Sequence, residues 1–286
     1  MTIQHFTTSD GLRLAFDDRD SGLPLLCLAG LTRNMADFEP ILEPLAGRCR
    51  LIRLDSRGRG LSQYDANWSN YTIARESADA LELLDHLGLP RVAILGTSRG
   101  GLLAMALAAT HRARLMGVFL NDIGPEIDPR GLARIMDYVG LRPPYPDYEA
   151  AATGLAQGFA AGFPGVPPAI WRAAAERMWR ESPAGLDLRY DANLRRTLLE
   201  TPATAAPPDL WQQFDALHDL PVSVLRGENS DILTAATVAE MRRRHPGLQE
   251  TVARDRGHTP FLDEPDSLAA LRDFLARLAP PPPRGA

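Results

Sequence analysis

Two cysteines in 286 residues, Cys27 and Cys49, are too few for a disulfide framework or a thiolate metal cluster. Each sits in an apolar, strand-like context, so both read as buried thiols. Among the six histidines there is no pair or Cys/His cluster with metal-ligand spacing, and no metal is expected. No apolar run approaches the roughly 18 residues that span a bilayer. The start of the chain, Met1 to Leu14, lacks the basic flank and apolar stretch of a signal peptide. The expectation is a cytoplasmic protein with no membrane association. Positive charge is not in excess either. The net charge is −5 and the arginines are scattered, which disfavours a nucleic-acid footprint while leaving small anionic ligands open. A glycine-rich stretch, Asp55 to Ser62, has no Gly-Lys-Ser/Thr and no dinucleotide spacing, so it reads as a structural loop and no cofactor is expected. The expected partner is a small-molecule substrate, and the sequence carries no signature of a particular oligomeric state.

What is present is a strand–helix rhythm in an α/β chain long enough for one such domain with material to spare. Residues 2–7 and 12–16 flank the turn-forming pair Asp10-Gly11 and read as a hairpin. Continuous apolar runs follow at 23–30, 50–54 and 91–96, then 116–122, the pattern of strands covered on both faces of a mostly parallel sheet. Helical patterns separate them at 37–45 and 73–87, as right-handed βα crossovers require. From residue 124 the character changes. Residues 124–215 are rich in proline, hold no convincing central strand, and carry helical patterns near 129–139, 148–160, 168–181 and 188–199. Trp171, Trp179 and Trp211 all fall there. Strands resume at 221–227 and 248–254, and a helix runs from Asp266 to about residue 279. The division is therefore a sheet domain of residues 1–123 and 216–279, a helical lid of 124–215, and a proline-rich tail at 280–286 expected to be disordered.

The chemistry gathers at the ends of those strands. Gly96-Thr97-Ser98-Arg99-Gly100 stands between an apolar strand and an apolar helix, the setting in which a G-x-S-x-G string presents a serine on a sharp, strained turn. Serine needs a base within hydrogen-bond reach. His258, in a glycine-containing loop after the last strand, is the histidine placed where ligands bind in α/β sheets. The base needs a carboxylate to fix its tautomer. Asp231, in the loop after the 221–227 strand, is the first choice, with Glu228 in the same loop as competitor and Asp122, after the 116–121 strand, as a weaker alternative. Oxyanion donors are expected from the backbone N–H of Arg99, at a helix start, and of Leu31, beside Gly30. Arg33 and Asn34 are candidates for binding polar substrate groups. The Arg99 side chain either adds positive charge at the substrate or pairs with an acid.

These segments together, GTSRGG at the elbow, DSRGRGLS, LNDIGP, GENSD and GHTPFLDEP, resemble the α/β-hydrolase superfamily, in particular its lid-bearing esterase, lactonase and carbon–carbon hydrolase group, from about residue 10 to 278. The resemblance implies an eight-stranded, nearly all-parallel sheet flanked by helices, a helical cap, and Ser98, Asp231 and His258 as the triad. The chain departs from many relatives in having Ala29-Gly30 in place of His-Gly, and Thr97-Ser98-Arg99 in place of the Asn-Ser of ring-fission hydrolases. The expected function is serine-dependent cleavage of a small to medium, partly apolar carboxylic ester or lactone. The alternatives are carbon–carbon hydrolysis of a β-diketone-like ring-cleavage product and a noncatalytic ligand-binding protein on the same scaffold.

Overall fold

The computed structural model describes residues 3–200 and 210–278. The expected tail, 280–286, lies outside the described residues. A hairpin of β1 (Gln4–Thr7) and β2 (Arg13–Arg19) opens the chain, turning at Gly11, whose φ of 86° suits a residue without Cβ. β3 (Pro24–Leu28), β4 (Arg50–Leu54), β5 (Val92–Thr97) and β6 (Leu115–Asn121) follow, with α1 (Ile73–His86) after β4 and α2 (Arg99–His111) after β5. Thr72 caps α1 by accepting from Arg75 N–H. The segment read as a helix over 37–45 is a 3-10 helix over Met35–Ile41, with Pro40 inside it.

The insertion after β6 contains α3 (Pro129–Tyr138), α4 (Tyr148–Gly158), α5 (Pro168–Met178), a hairpin of β7 (Trp179–Ser182) and β8 (Gly185–Leu188), and α6 (Leu194–Leu199). Two sequence readings change here. The helices expected to run through 168–181 and from 188 are cut short, because residues 179–182 and 185–188 pair with each other across Gly185, held at φ 99°. The lid expected to extend to residue 215 is also too long. α7 (Leu210–Asp215) packs on α2, with Phe214 1% exposed in the core of the sheet domain and Trp211 edge-on to it at 6.1 Å. Apolar residues at 210–215 serve a core equally well on either side of a boundary, so composition did not separate them.

The chain closes with β9 (Val222–Gly227), α8 (Ala235–Arg244), β10 (Gln249–Ala253) and α9 (Pro265–Leu278). The eight-stranded sheet has the order β1-β2-β4-β3-β5-β6-β9-β10 and is parallel from β4 to β10; only β1 and β2 run against their neighbours. Both faces are buried, which explains the continuous apolar runs. Leu26, Leu28, Ile94, Leu120 and Val224 face α1 and α2, while Leu25, Cys27, Leu95, Phe119 and Leu225 face α9 and the 3-10 helix. Cys27 and Cys49 lie in that second layer as free, buried thiols. Among the described residues no helix is long and apolar enough to cross a membrane.

The order places β6 between β5 and β9. The loops after β5, β6 and β9 therefore emerge side by side at one sheet edge, where the functional side chains gather.

Candidate active site

Ser98 joins β5 to α2 with φ 51° and ψ −117°, a strained conformation for a non-glycine residue. The turn closes only because its neighbours lack side chains. A Cβ on Gly100 would lie 2.0 Å from the Leu28 carbonyl oxygen, and one on Gly96 would lie 2.6 Å from the Gly100 carbonyl carbon. Both obstacles are backbone and cannot swing aside. Gly100→Ala is therefore expected to cost about 3 kcal/mol, lowering the thermal midpoint by roughly 6–12 °C for a domain of this size. Differential scanning calorimetry of the variant against the native protein checks this.

His258 Nε2 stands 2.9 Å from Ser98 Oγ, and its Nδ1 stands 2.8 Å from Asp122 Oδ2. A carboxylate only accepts, so Nδ1 carries the proton and Nε2 is left to accept the serine hydroxyl. The loop around His258 is set by Glu264, which accepts from the N–H groups of Phe261 and Leu262, the Ser267 hydroxyl and Arg256 Nε. The side chain of His258 is 11% exposed and that of Asp122 is wholly buried. Asp122 Oδ1 accepts the Gly227 N–H at 2.7 Å; Oδ2 also accepts the Ser230 hydroxyl at 2.7 Å.

The geometry corrects the choice of carboxylate. The structure brings Ser98 and His258 together but not Asp231, whose Oδ1 accepts Arg134 Nη2 from α3 at 2.7 Å in a partly exposed ion pair. Nor does Asp231 cap α8, a role Thr234 fills by accepting from Thr237 N–H. Glu228 is turned away as well and accepts from Asp255 N–H. The position beside His258 is reachable from the end of β6 or of its neighbour β9. At β6 the chain turns sharply, Asp122 taking φ 55° and donating its N–H to the Leu225 carbonyl, which points the carboxylate across β9 to His258. The β9 loop contributes Ser230 in support.

Of the expected oxyanion donors, the Arg99 N–H lies in the first turn of α2, where N–H groups have no intrahelical acceptor. Leu31 lines the same cavity as Ser98. The two are linked through one buried carboxylate that the sequence did not reveal. Glu76, 2% exposed, accepts from Arg59 Nη1 at 3.0 Å and from Arg99 Nε and Nη2 at 3.0 and 2.8 Å; Arg59 Nε in turn donates to the Leu31 carbonyl at 2.9 Å. The Arg99 side chain thus pairs with an acid and does not line the cavity. Burial alone would raise the Glu76 carboxyl, but the Arg59 and Arg99 guanidiniums more than offset this and hold it below its usual value of 4.5. Its stabilising contribution is complete above about 4.5 and is lost as pH falls through the depressed native value. Glu76→Gln leaves the buried Arg59 guanidinium and the partly buried Arg99 guanidinium underpaired. It is expected to cost about 3–5 kcal/mol at pH 7, and the gap to the native protein narrows below pH 4.5 in urea denaturation.

Asp55 fixes the same region from the other side. It accepts Met35 N–H at 2.6 Å and Leu61 N–H at 2.7 Å, and a Cβ on Gly60 would strike its Oδ2 at 2.1 Å. Burial pushes its carboxyl up to about 6 against the pull of those two N–H groups. The glycine-rich loop is thus a scaffold, joined to the insertion where Gly60 N–H donates to Arg189 O and Asp191 N–H donates to Gly58 O.

Ser98 and His258 open into a cavity of about 680 Å³ between the sheet edge and the insertion, walled by Tyr138, Tyr145, Phe159, Phe163, Trp171 and Phe261 among others. Phe261, three residues beyond His258, packs on Phe163 at 5.2 Å and Trp171 at 5.5 Å, so the histidine loop and the insertion share one aromatic cluster. Arg33 reaches the cavity wall, held by Asp37 in a two-bond pair. Asn34 does not reach it. It is buried, accepts Ala36 N–H as the cap of the 3-10 helix, and donates to the Arg177 carbonyl at 2.8 Å. Among the described residues no three His, Cys, Asp or Glu side chains are grouped to share a metal ion.

A model of the alpha/beta hydrolase family matches residues 25–271, which includes every strand of the parallel sheet but the first residue of β3. The chain belongs to the α/β-hydrolase family. As an α/β hydrolase it is similar to the 3-hydroxybutyrate-oligomer hydrolase of Cupriavidus necator, at 33% identity over 259 residues, 88% of this chain and 87% of the relative. It is also similar to the 2-(acetamidomethylene)succinate hydrolase of Mesorhizobium japonicum, at 27% identity over 261 residues and 90% of each chain. The crystal structure of an alpha/beta hydrolase from Novosphingobium aromaticivorans superposes with a TM-score of 0.90 at 40% identity, covering 96% of this chain and 98% of that one. The relatives support hydrolytic activity for this α/β hydrolase.

Proposed function

We propose that this α/β hydrolase cleaves a small to medium, partly apolar carboxylic ester or lactone through an acyl-enzyme on Ser98. One observation carries the reading: the unbroken relay from Ser98 Oγ to His258 at 2.9 Å and from His258 to the buried Asp122 at 2.8 Å, facing an aromatic-walled cavity. Ser98 Oγ bonds to the substrate carbonyl carbon as His258 Nε2 takes its proton, and Asp122 stabilises the imidazolium. The negative oxygen is received by the N–H groups of Arg99 and Leu31. The carbon–oxygen bond then breaks, and His258 returns the proton to the leaving alkoxide. Water adds to the acyl-enzyme by the same route, giving the carboxylic acid and free Ser98. In a lactone the leaving oxygen stays tethered, so the product is a single hydroxy acid.

The similarity to a 3-hydroxybutyrate-oligomer hydrolase supports ester chemistry and puts short hydroxyacid esters at the head of a substrate panel. A chromogenic and pH-stat panel of esters and lactones of increasing acyl length tests the proposal. Turnover of at least one class is expected; absence of turnover across the panel contradicts it.

A further inference from the structure

We propose that Arg177 is the anchor for a carboxylate carried by the ester substrate, an inference that rests on the serine-hydrolase reading of the same cavity. The chain as a whole has a net charge of −5, yet its catalytic cavity has the opposite balance: Arg33, Arg134, Arg142 and Arg177 line it against Asp37 and Asp137. Three of those four arginines are committed. Arg33 is held by Asp37 at 2.6 and 2.7 Å, Arg134 by Asp231 at 2.7 Å, and Arg142 by the Leu186 carbonyl and the Ser182 hydroxyl at 3.0 and 2.9 Å.

Arg177 is different. Its carbonyl accepts from Asn34 Nδ2 and Arg189 Nη1, which fixes its backbone at the end of α5, but among the described residues its guanidinium has no hydrogen-bond or ion-pair partner. Burial lowers its basicity, and the pull of Asp37, opposed by Arg33, and of Glu39 and Asp263 does not restore it. Arg177 is half-buried and lines the cavity with its guanidinium unpartnered, and a cavity made only for apolar esters has no need of such a charge. A planar fork of N–H donors fits a carboxylate in a two-bond pair.

Arg177 lines the same cavity as Ser98 and His258, so one bound substrate can meet all three. A Cβ built on Gly30 would touch Arg33 Cγ at 3.3 Å and Ser98 Cβ at 3.6 Å, so the Arg33 stem passes the nucleophile at a separation of one methyl group. Asn34, next in sequence, carries the Arg177 carbonyl. The Asp37 and Asp137 carboxylates lining the same cavity oppose a dianion such as phosphate, which favours a singly charged carboxylate.

The test uses two matched pairs of probes: monoethyl succinate with ethyl methyl succinate, and 3-acetoxybutyrate with its methyl ester. The pairs put the carboxylate on the acyl and on the leaving side of the scissile bond. Titrated into Ser98→Ala protein by calorimetry, the anionic member of one pair is expected to bind about tenfold more tightly than its neutral partner, a difference of about 1.4 kcal/mol. That ratio falls to about one when Arg177→Gln is added and returns in part with Arg177→Lys. Equal binding within both pairs, or a ratio unchanged in Arg177→Gln, overturns the proposal. Because the readout needs no turnover, discrimination without hydrolysis by the native protein overturns the serine-hydrolase reading instead and leaves the anion site standing.

Discussion

Alanine in place of Ser98 is expected to lower kcat/KM on the best ester of the panel by about 10⁴- to 10⁶-fold while leaving the unfolding midpoint close to native. The size follows from the loss of the acyl-enzyme route, since what remains is binding and oxyanion stabilisation without a nucleophile. The unchanged stability follows from the backbone. At φ 51° alanine bears much the same strain as serine, and the hydroxyl contributes only its one bond to His258. Steady-state kinetics over a range of substrate concentrations, with calorimetry on the same preparation, measures both. His258→Ala is expected to give a loss of similar size, and the double variant little more than either alone, because the two side chains act as a unit.

The second large effect separates two aspartates. Asp122→Asn is expected to lower kcat by about 10⁴-fold, because an amide NH₂ facing Nδ1 favours the tautomer that directs a proton, not a lone pair, at Ser98. Gly227 N–H can still be accepted by the amide oxygen, so the fold is preserved. Asp231→Asn removes only a partly exposed ion pair with Arg134, of a kind worth about 0–1 kcal/mol. Its kcat is expected to stay within about threefold of native. Stopped-flow or steady-state rates on one ester across the two variants are the measurement. Reversal of the two effects would return the acid to the β9 loop.

That contrast also marks how far the sequence could be read. The sheet, the elbow at Ser98 and the loop histidine were legible because each is announced locally: a continuous apolar run for a strand buried on both faces, small residues around a strained turn, a glycine beside His258. The carboxylate was not, because Asp122 and Asp231 both follow strands whose C-terminal ends adjoin, and the choice depends on how the chain turns after Asn121. Glu76 was hidden for a related reason. It sits on α1 and its work depends on Arg59, Leu31 and Arg99, brought together only by the fold. The β7–β8 hairpin was missed because its two strands are only four residues each and follow directly on a strongly helical segment. Arg33 and Asn34, adjacent in sequence, take different roles: the first lines the cavity and the second caps a helix and fixes Arg177.

In the proposed reaction Ser98, activated by His258 against Asp122, takes the acyl group of the substrate. Rapid acid quench of the native protein during turnover of a 4-nitrophenyl ester, followed by peptide mass mapping, tests it most directly. An acyl adduct is expected on the peptide containing Ser98, present in native protein and absent from Ser98→Ala. Sustained turnover with no adduct, or an adduct carried by another side chain and retained in Ser98→Ala, would contradict it.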